Sequence, residues 1–170
     1  MRRIICSLLI LSSIFCLLGC GEKESEMQAD FYYVRKEYVY GQEDGVMAAE
    51  IRNITEFSNA QETLEAYLTG PENPSLELPF AAGTEIIDFL LLEDKLYITL
   101  SSHIVTLSKA NQVLACTCLA RTVMELTGIQ EVHFATDSNA VARMDPIVIT
   151  SDSYLLFDDY NSNTPNNTEE

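Results

Sequence analysis

The polarity pattern divides the chain into an apolar head, a polar joint, a long stretch of alternating and helical periodicities, and a polar tail. In the head, Arg2 and Arg3 precede residues 4–18, which are apolar apart from Ser7, Ser12 and Ser13. A spanning helix needs ~20 apolar residues, so this run is too short; its charged start and small-residue end are those of an export signal. Residues 20–30 are polar and acidic without periodicity and read as a tether.

The body then alternates between strand and helix signals. Residues 31–40 are aromatic and β-prone, interrupted by charges at 35–37, and end at a turn over 41–45. A short second strand over 46–53 alternates Met47, Ala49 and Ile51 with Ala48, Glu50 and Arg52. Ser58 followed by Gln61 makes a capping box for a helix that stops at Gly70-Pro71, with Ala60, Leu64, Tyr67 and Leu68 on one face and Glu62 and Glu65 away from it. Residues 72–80, with Pro74 and Pro79, read as loop.

Gly83-Thr84 leads into an apolar run over 86–92, a tight turn at Glu93-Asp94-Lys95, and a second run over 96–100. Both are apolar enough to predict a central hairpin. Ser108 caps a helix over 109–127 that Gly128 stops. Its wide apolar face holds Val113, Cys116, Leu119, Ala120, Val123, Met124 and Leu126, leaving Asn111, Arg121 and Glu125 on the remainder. A strand over 130–136 alternates Val132 and Phe134 with Glu131, His133 and Ala135, and a turn at 137–139 follows. Residues 147–149 and 154–157 suggest a last pair of strands, and 158–170 an acidic, asparagine-rich tail expected to stay disordered.

The predicted order is β-α-β-β-α-β, an α/β (α+β) split βαβ arrangement in two layers: one sheet with both helices on one face. The domain is expected over 31–157.

Composition narrows the function. Hydrophobic residues make up 47% of the chain and aromatics 9%, the balance of a globular protein. Acidic residues outnumber basic ones 26 to 10, for a formal charge of −16, and loss of Arg2 and Arg3 with a signal deepens it. That surface repels nucleic acid, anionic headgroups and anionic wall polymers, and suits a neutral or basic protein.

Leu17-Leu18-Gly19-Cys20 closes the apolar head and resembles the bacterial lipoprotein lipobox. The resemblance implies cleavage between Gly19 and Cys20, a diacylglycerol on the Cys20 sulfur, and acylation of the new amine, which together anchor stably at ~0.8 kcal/mol per inserted methylene. An ordinary secretory signal needs no cysteine there, and a core helix would not open with two arginines. Cys6 and Cys16 leave with the signal, so only Cys116 and Cys118 remain and a disulfide scaffold is excluded.

Between about residues 31 and 141 the chain resembles a GerMN (germane) domain of sporulation, germination and other envelope lipoproteins. Four segments carry the likeness: Glu62-Thr63-Leu64-Glu65-Ala66-Tyr67-Leu68-Thr69-Gly70-Pro71, Leu78-Pro79-Phe80-Ala81-Ala82-Gly83-Thr84-Glu85-Ile86-Ile87, Glu93-Asp94-Lys95-Leu96-Tyr97-Ile98-Thr99-Leu100-Ser101, and Thr127-Gly128-Ile129-Gln130-Glu131-Val132-His133-Phe134. The chain departs from the family at Asp94-Lys95, where Asp-Gly is usual, and at Ser138, where Gly is usual; both changes cost turn propensity. The resemblance implies a fold like the ring-building domains of envelope assemblies, and a binding or scaffolding role, with an envelope protein or a second copy as partner, rather than turnover.

Candidate chemistry is thin. Cys116 and Cys118 lie ~200° apart around a helix, cannot bridge, and read as core filling. Ser101-Ser102-His103 lacks a third partner and an oxyanion site, and His133 lies on the polar face of a strand, solvated or at an interface. Spacings for zinc, for calcium at Asp158-Asp159, and for a phosphate loop at Gly41 to Gly45 are all wanting. No cofactor or metal is expected. Phe31, Tyr32, Tyr33, Tyr38 and Tyr40 form an aromatic cluster, read first as core and edge decoration and second as an interface. The leading expectation is therefore a membrane-tethered, extracytoplasmic, non-catalytic binding module. A lipoprotein that captures a small molecule or wall fragment is the alternative.

Overall fold

The computed structural model describes residues 26–38, 45–55 and 60–153. Two sheets share one long helix. The first sheet has the order β2-β1-β3, with β1 (Glu26–Arg35) between β2 (Met47–Thr55) and the two-residue β3 (Leu76–Glu77), both antiparallel to it. The second has the order β4-β5-β6-β7: β4 (Ile86–Leu92), β5 (Lys95–Leu100), β6 (Glu131–Thr136) and β7 (Ile147–Thr150). β4 and β5 form the predicted antiparallel hairpin, β6 runs parallel to β5, and β7 antiparallel to β6. Helix α1 (Ala60–Leu68) follows β2, and α2 (Lys109–Thr127) connects β5 to β6 after a 3-10 turn at Ser102–Thr106.

The mixed α/β class stands, but the single sheet becomes two. The reason lies at Tyr32, which sits opposite Ala49 in the β1–β2 register. Its N–H donates to Thr122 Oγ1 of α2 at 2.8 Å, and its carbonyl accepts from Tyr67 Oη of α1 at 2.8 Å. Side chains thus occupy main-chain groups through which a further strand would have joined.

Helix α2 packs on β1 of the first sheet and on β6 and β7 of the second. Its buried residues, among them Leu114, Cys116, Thr117, Cys118, Leu119, Ala120 and Val123, run right round it. This exceeds the one wide face the sequence predicted, and the two contacting sheets explain it. Its ends are those expected: Ser108 accepts from the Asn111 N–H, and Gly128, at φ +71°, donates to the Met124 carbonyl. The core joins Phe31 and Tyr33 of β1 and Tyr67 of α1 to Leu96, Ile98 and Leu100 of β5 and Val132 and Phe134 of β6.

Further corrections follow from non-local packing. β1 opens at Glu26, inside the expected tether, because β2 extends to Thr55 and pairs with it there. β1 also ends at Arg35, short of the expected 40. The expected loop over 72–80 contributes β3, which pairs Leu76 and Glu77 with Arg35 and Val34. β4, expected to be central, is an edge strand of its sheet among the described residues. The alternation of β2 holds at buried Met47 and reverses beyond it: Ile51 is 67% exposed, while Arg52, on the opposite face, lies over the Phe31 and Tyr33 rings at 5.1 and 5.4 Å from their centroids. The helix cap at Ser58, the strand over 154–157 and the tail lie outside the described residues.

Candidate functional site

The outer face of the second sheet is the surface on which chemistry and exposure meet. The inward side chains Leu96, Ile98 and Leu100 of β5 and Val132 and Phe134 of β6 are buried, so the alternate positions face outward. The register places Leu90, Tyr97, His133 and Val148 in one row across all four strands. Tyr97 and His133 stack at 4.5 Å between centroids and 24° between planes. The adjacent row holds Leu92, Lys95, Glu131 and Thr150. Glu131 accepts from Lys95 Nζ and also meets His133 Nε2 at 2.5 Å. Lys95 first and His133 second hold the Glu131 carboxyl below the usual carboxylate range. His133 therefore stands on a half-apolar face.

Elsewhere, polar groups close the structure. Arg52 donates to the Ala66 carbonyl at 3.3 Å and to the Gly70 carbonyl at 2.5 Å, and pairs with Glu50 at 2.7 Å. Glu50 in turn accepts from the Glu72 and Asn73 N–H groups. Burial pushes the Glu50 pKa up, but those donors and Arg52 outweigh it and leave the carboxyl below its ordinary range. The result is a clamp on the end of α1 and the turn that follows. A strand alternation misplaces Arg52; the available signal was a lone arginine two residues from a glutamate in an acidic chain.

The serine–histidine pair is a latch. Ser101 Oγ lies 3.4 Å from His103 Nδ1, but it accepts from the Glu85 N–H at 3.0 Å and sits 3.4 Å from the Gly83 carbonyl. The His103 ring covers Gly83, whose φ is +81° and where a Cβ would meet that ring at 3.3 Å. Cys116 and Cys118 are both buried and neither is in a disulfide, and burial pushes the Cys116 thiol up to about 12. Phe31, Tyr32 and Tyr33 are core, and Tyr38 packs against it; Tyr40 lies outside the described residues, as do Gly19 and Cys20. Among the described residues no group of three or more His, Cys, Asp or Glu is placed to hold a metal, and no helix is long and apolar enough to cross a membrane. A groove of about 360 Å³ lies along Ala29, Asp30, Ile51, Glu125 and Leu126, and another of about 430 Å³ beside Arg35, Lys36 and Pro74.

Compared with known families, residues 30–142 match the Germane model, described as sporulation and spore germination. This chain belongs to the Germane family. Among solved structures, the first GerMN domain of the sporulation protein GerM from Bacillus subtilis is similar at TM-score 0.50 and 12% identity, over 68% of this chain and 86% of that one. The tandem GerMN domains of the same protein give TM-score 0.50 and 12% identity, over 76% of this chain and 46% of that one. A Clostridium perfringens protein described as a lipoprotein gives TM-score 0.45 at 14% identity, over 75% and 89%. No curated protein matches this chain.

The Germane motifs fall at the turns of the domain. Gly70, at φ +89°, sits under the Arg52 clamp. Gly83-Thr84 and Leu100-Ser101 are the two sides of the His103 latch, and Gly128 caps α2. These residues build the frame that carries the open sheet face.

Proposed function

We propose that this Germane protein is a membrane-anchored, extracytoplasmic binding or scaffold module without catalytic activity, working in sporulation or germination. The lipobox at Leu17-Leu18-Gly19-Cys20 carries the reading, since it stands directly before a domain of a family described by those processes. Cys20 holds the lipid and residues following it form the leash. Two further features support a non-catalytic role: burial pushes the Cys116 thiol up, away from the reactive thiolate, and Ser101 and His103 are engaged in closing a loop. A lipoprotein that captures a small molecule or wall fragment is the less favoured alternative: the groove beside α2 is lined by the carboxylates Asp30 and Glu125, which repel anionic polymers, and the groove beside Arg35 and Lys36 also carries Glu37.

Detergent-phase partitioning tests the anchor. The native protein should enter the detergent phase, and Cys20→Ala should move it to the aqueous phase while leaving the domain folded. Continued partitioning of Cys20→Ala with membranes would refute the reading.

A further inference from the structure

We propose that the free edge of β4 accepts an extended segment of another protein as an added strand, and that this segment is apolar at alternate positions and basic at its flanks. The inference rests on the binding-module reading above and supplies its surface and the chemistry of its partner.

Geometry selects the edge. Among the described residues β4 ends its sheet with α1 against it, and its register with β5 runs unbroken from Asp88 to Leu92, after an irregularity between Ile86 and Asp88. Leu90, Leu91 and Leu92 are 56, 56 and 55% exposed. Because they alternate between faces, the strand is apolar and wet on both sides. Proteins usually blunt such an edge with lysine, proline or a covering element. The sequence Ile-Ile-Asp-Phe-Leu-Leu-Leu has neither residue, and Asp88 is its one charge. On the outer face, Leu90 continues into Tyr97, His133 and Val148, so an outward apolar side chain of an added strand would extend that row, while Asp88 lies in the row to one side.

Charge selects the occupant. Glu85, Asp88, Glu93 and Asp94 are all exposed in and around β4, and the nearby Lys95 is engaged by Glu131. A second copy paired through β4 would bring two such sets of carboxylates onto one seam, in a chain already at −16. Like charges across paired strands are destabilising. A segment with lysine or arginine at its flanks meets the same carboxylates with opposite sign, and its apolar positions cover the leucines.

The test uses the full lipid-bearing chain in detergent and a fluorescent synthetic peptide, Arg-Lys-Val-Thr-Val-Thr-Val-Lys-Arg, with a peptide of the same composition whose valines are clustered at one end. Fluorescence anisotropy should show saturable binding of the alternating peptide, weakened at least about tenfold as salt rises from about 50 to 500 mM. The clustered peptide should bind at least about tenfold less tightly, and so should the alternating peptide to an Asp88→Lys/Leu90→Lys variant that unfolds at the same temperature as the parent. Val141→Lys, at a fully exposed loop position, should bind as the parent does. Absence of saturable binding, equal binding of both peptides, or undiminished binding by Asp88→Lys/Leu90→Lys would overturn the proposal. Amide exchange of the protein alone adds a second readout: β4 edge amides should exchange freely. Protection that rises with protein concentration would identify a second copy as occupant, and protection independent of concentration the chain's own segments; either overturns the proposal. Detergent partitioning is untouched by these outcomes, so the anchored-module reading stands or falls separately on Cys20→Ala.

Discussion

Replacing Arg52 by methionine keeps the apolar stem and removes the clamp. The structure shows what is lost: two hydrogen bonds to the Ala66 and Gly70 carbonyls, the pair with Glu50, and the cation over Phe31 and Tyr33. The side chains of Arg52 and Glu50 are only 14 and 11% exposed, so solvent screens the pair little. Hydrogen bonds from a charged donor contribute ~1.5–3 kcal/mol each when sheltered, and a cation–aromatic contact ~0.5–1 kcal/mol. Methionine regains part of the packing against the rings. Taking the low end of each contribution, the loss should be ~3 kcal/mol in a urea titration with an unchanged slope, or ~10 °C in melting temperature for a domain of this size. Arg52→Lys should fall about midway, since it keeps a charge beside Glu50 but not the planar fork that reaches two carbonyls. A loss below ~1 kcal/mol for Arg52→Met, the level of an exposed ion pair, would refute the clamp, as would a lysine variant as stable as the parent.

Other consequences are equally open to measurement. Thiol labelling of the native protein near pH 8 should leave Cys116 and Cys118 unmodified over hours, because both are buried and burial pushes the Cys116 thiol up to about 12; rapid modification of both would contradict their place in the core. Gly83→Ala should destabilise more than Gly128→Ala. Both adopt positive φ, at a cost of ~1 kcal/mol, but only the first drives a Cβ against the His103 ring, whereas the second meets open space; equal losses would count against the latch. Glu50 and Glu131 have folded-state pKa values lowered below the ordinary 4.5, so their contributions are present above that pH and are lost as pH falls through the lowered values. Acid titration of stability should accordingly be shallower for Glu50→Gln than for the parent below about pH 4.5, and an unchanged slope would contradict the assignment.

The elements that could be read in the sequence are those whose signals are local. The Ser108 cap, the Gly128 stop, the β4–β5 hairpin and the inward Val132 and Phe134 all appear where short-range chemistry places them. What escaped depends on partners distant in the chain. Alternation in β2 sets Met47, Ala49 and Ile51 against Ala48, Glu50 and Arg52, yet Arg52 faces the packed side because two rings and the end of α1 await it there, which leaves Ile51 to solvent. β3 is a two-residue pairing that no pattern so short can announce. β4 looked central because its run is unbroken, but strand order, set by the free edge and by the crossover through α2, puts it at the rim. The same feature that misled the assignment, an apolar run whose three leucines stay more than half exposed, is what makes the edge notable. The helix α2 likewise looked one-sided because the sequence could not show that two sheets meet on it.

The anchor is the central claim, and intact-mass and N-terminal peptide analysis of protein purified from native membranes tests it most directly. The account predicts a mature chain beginning at Cys20, heavier than its amino-acid sequence by a diacylglyceryl group and an amide-linked acyl chain. A chain that still begins at Met1, or an unmodified Cys20, would contradict it.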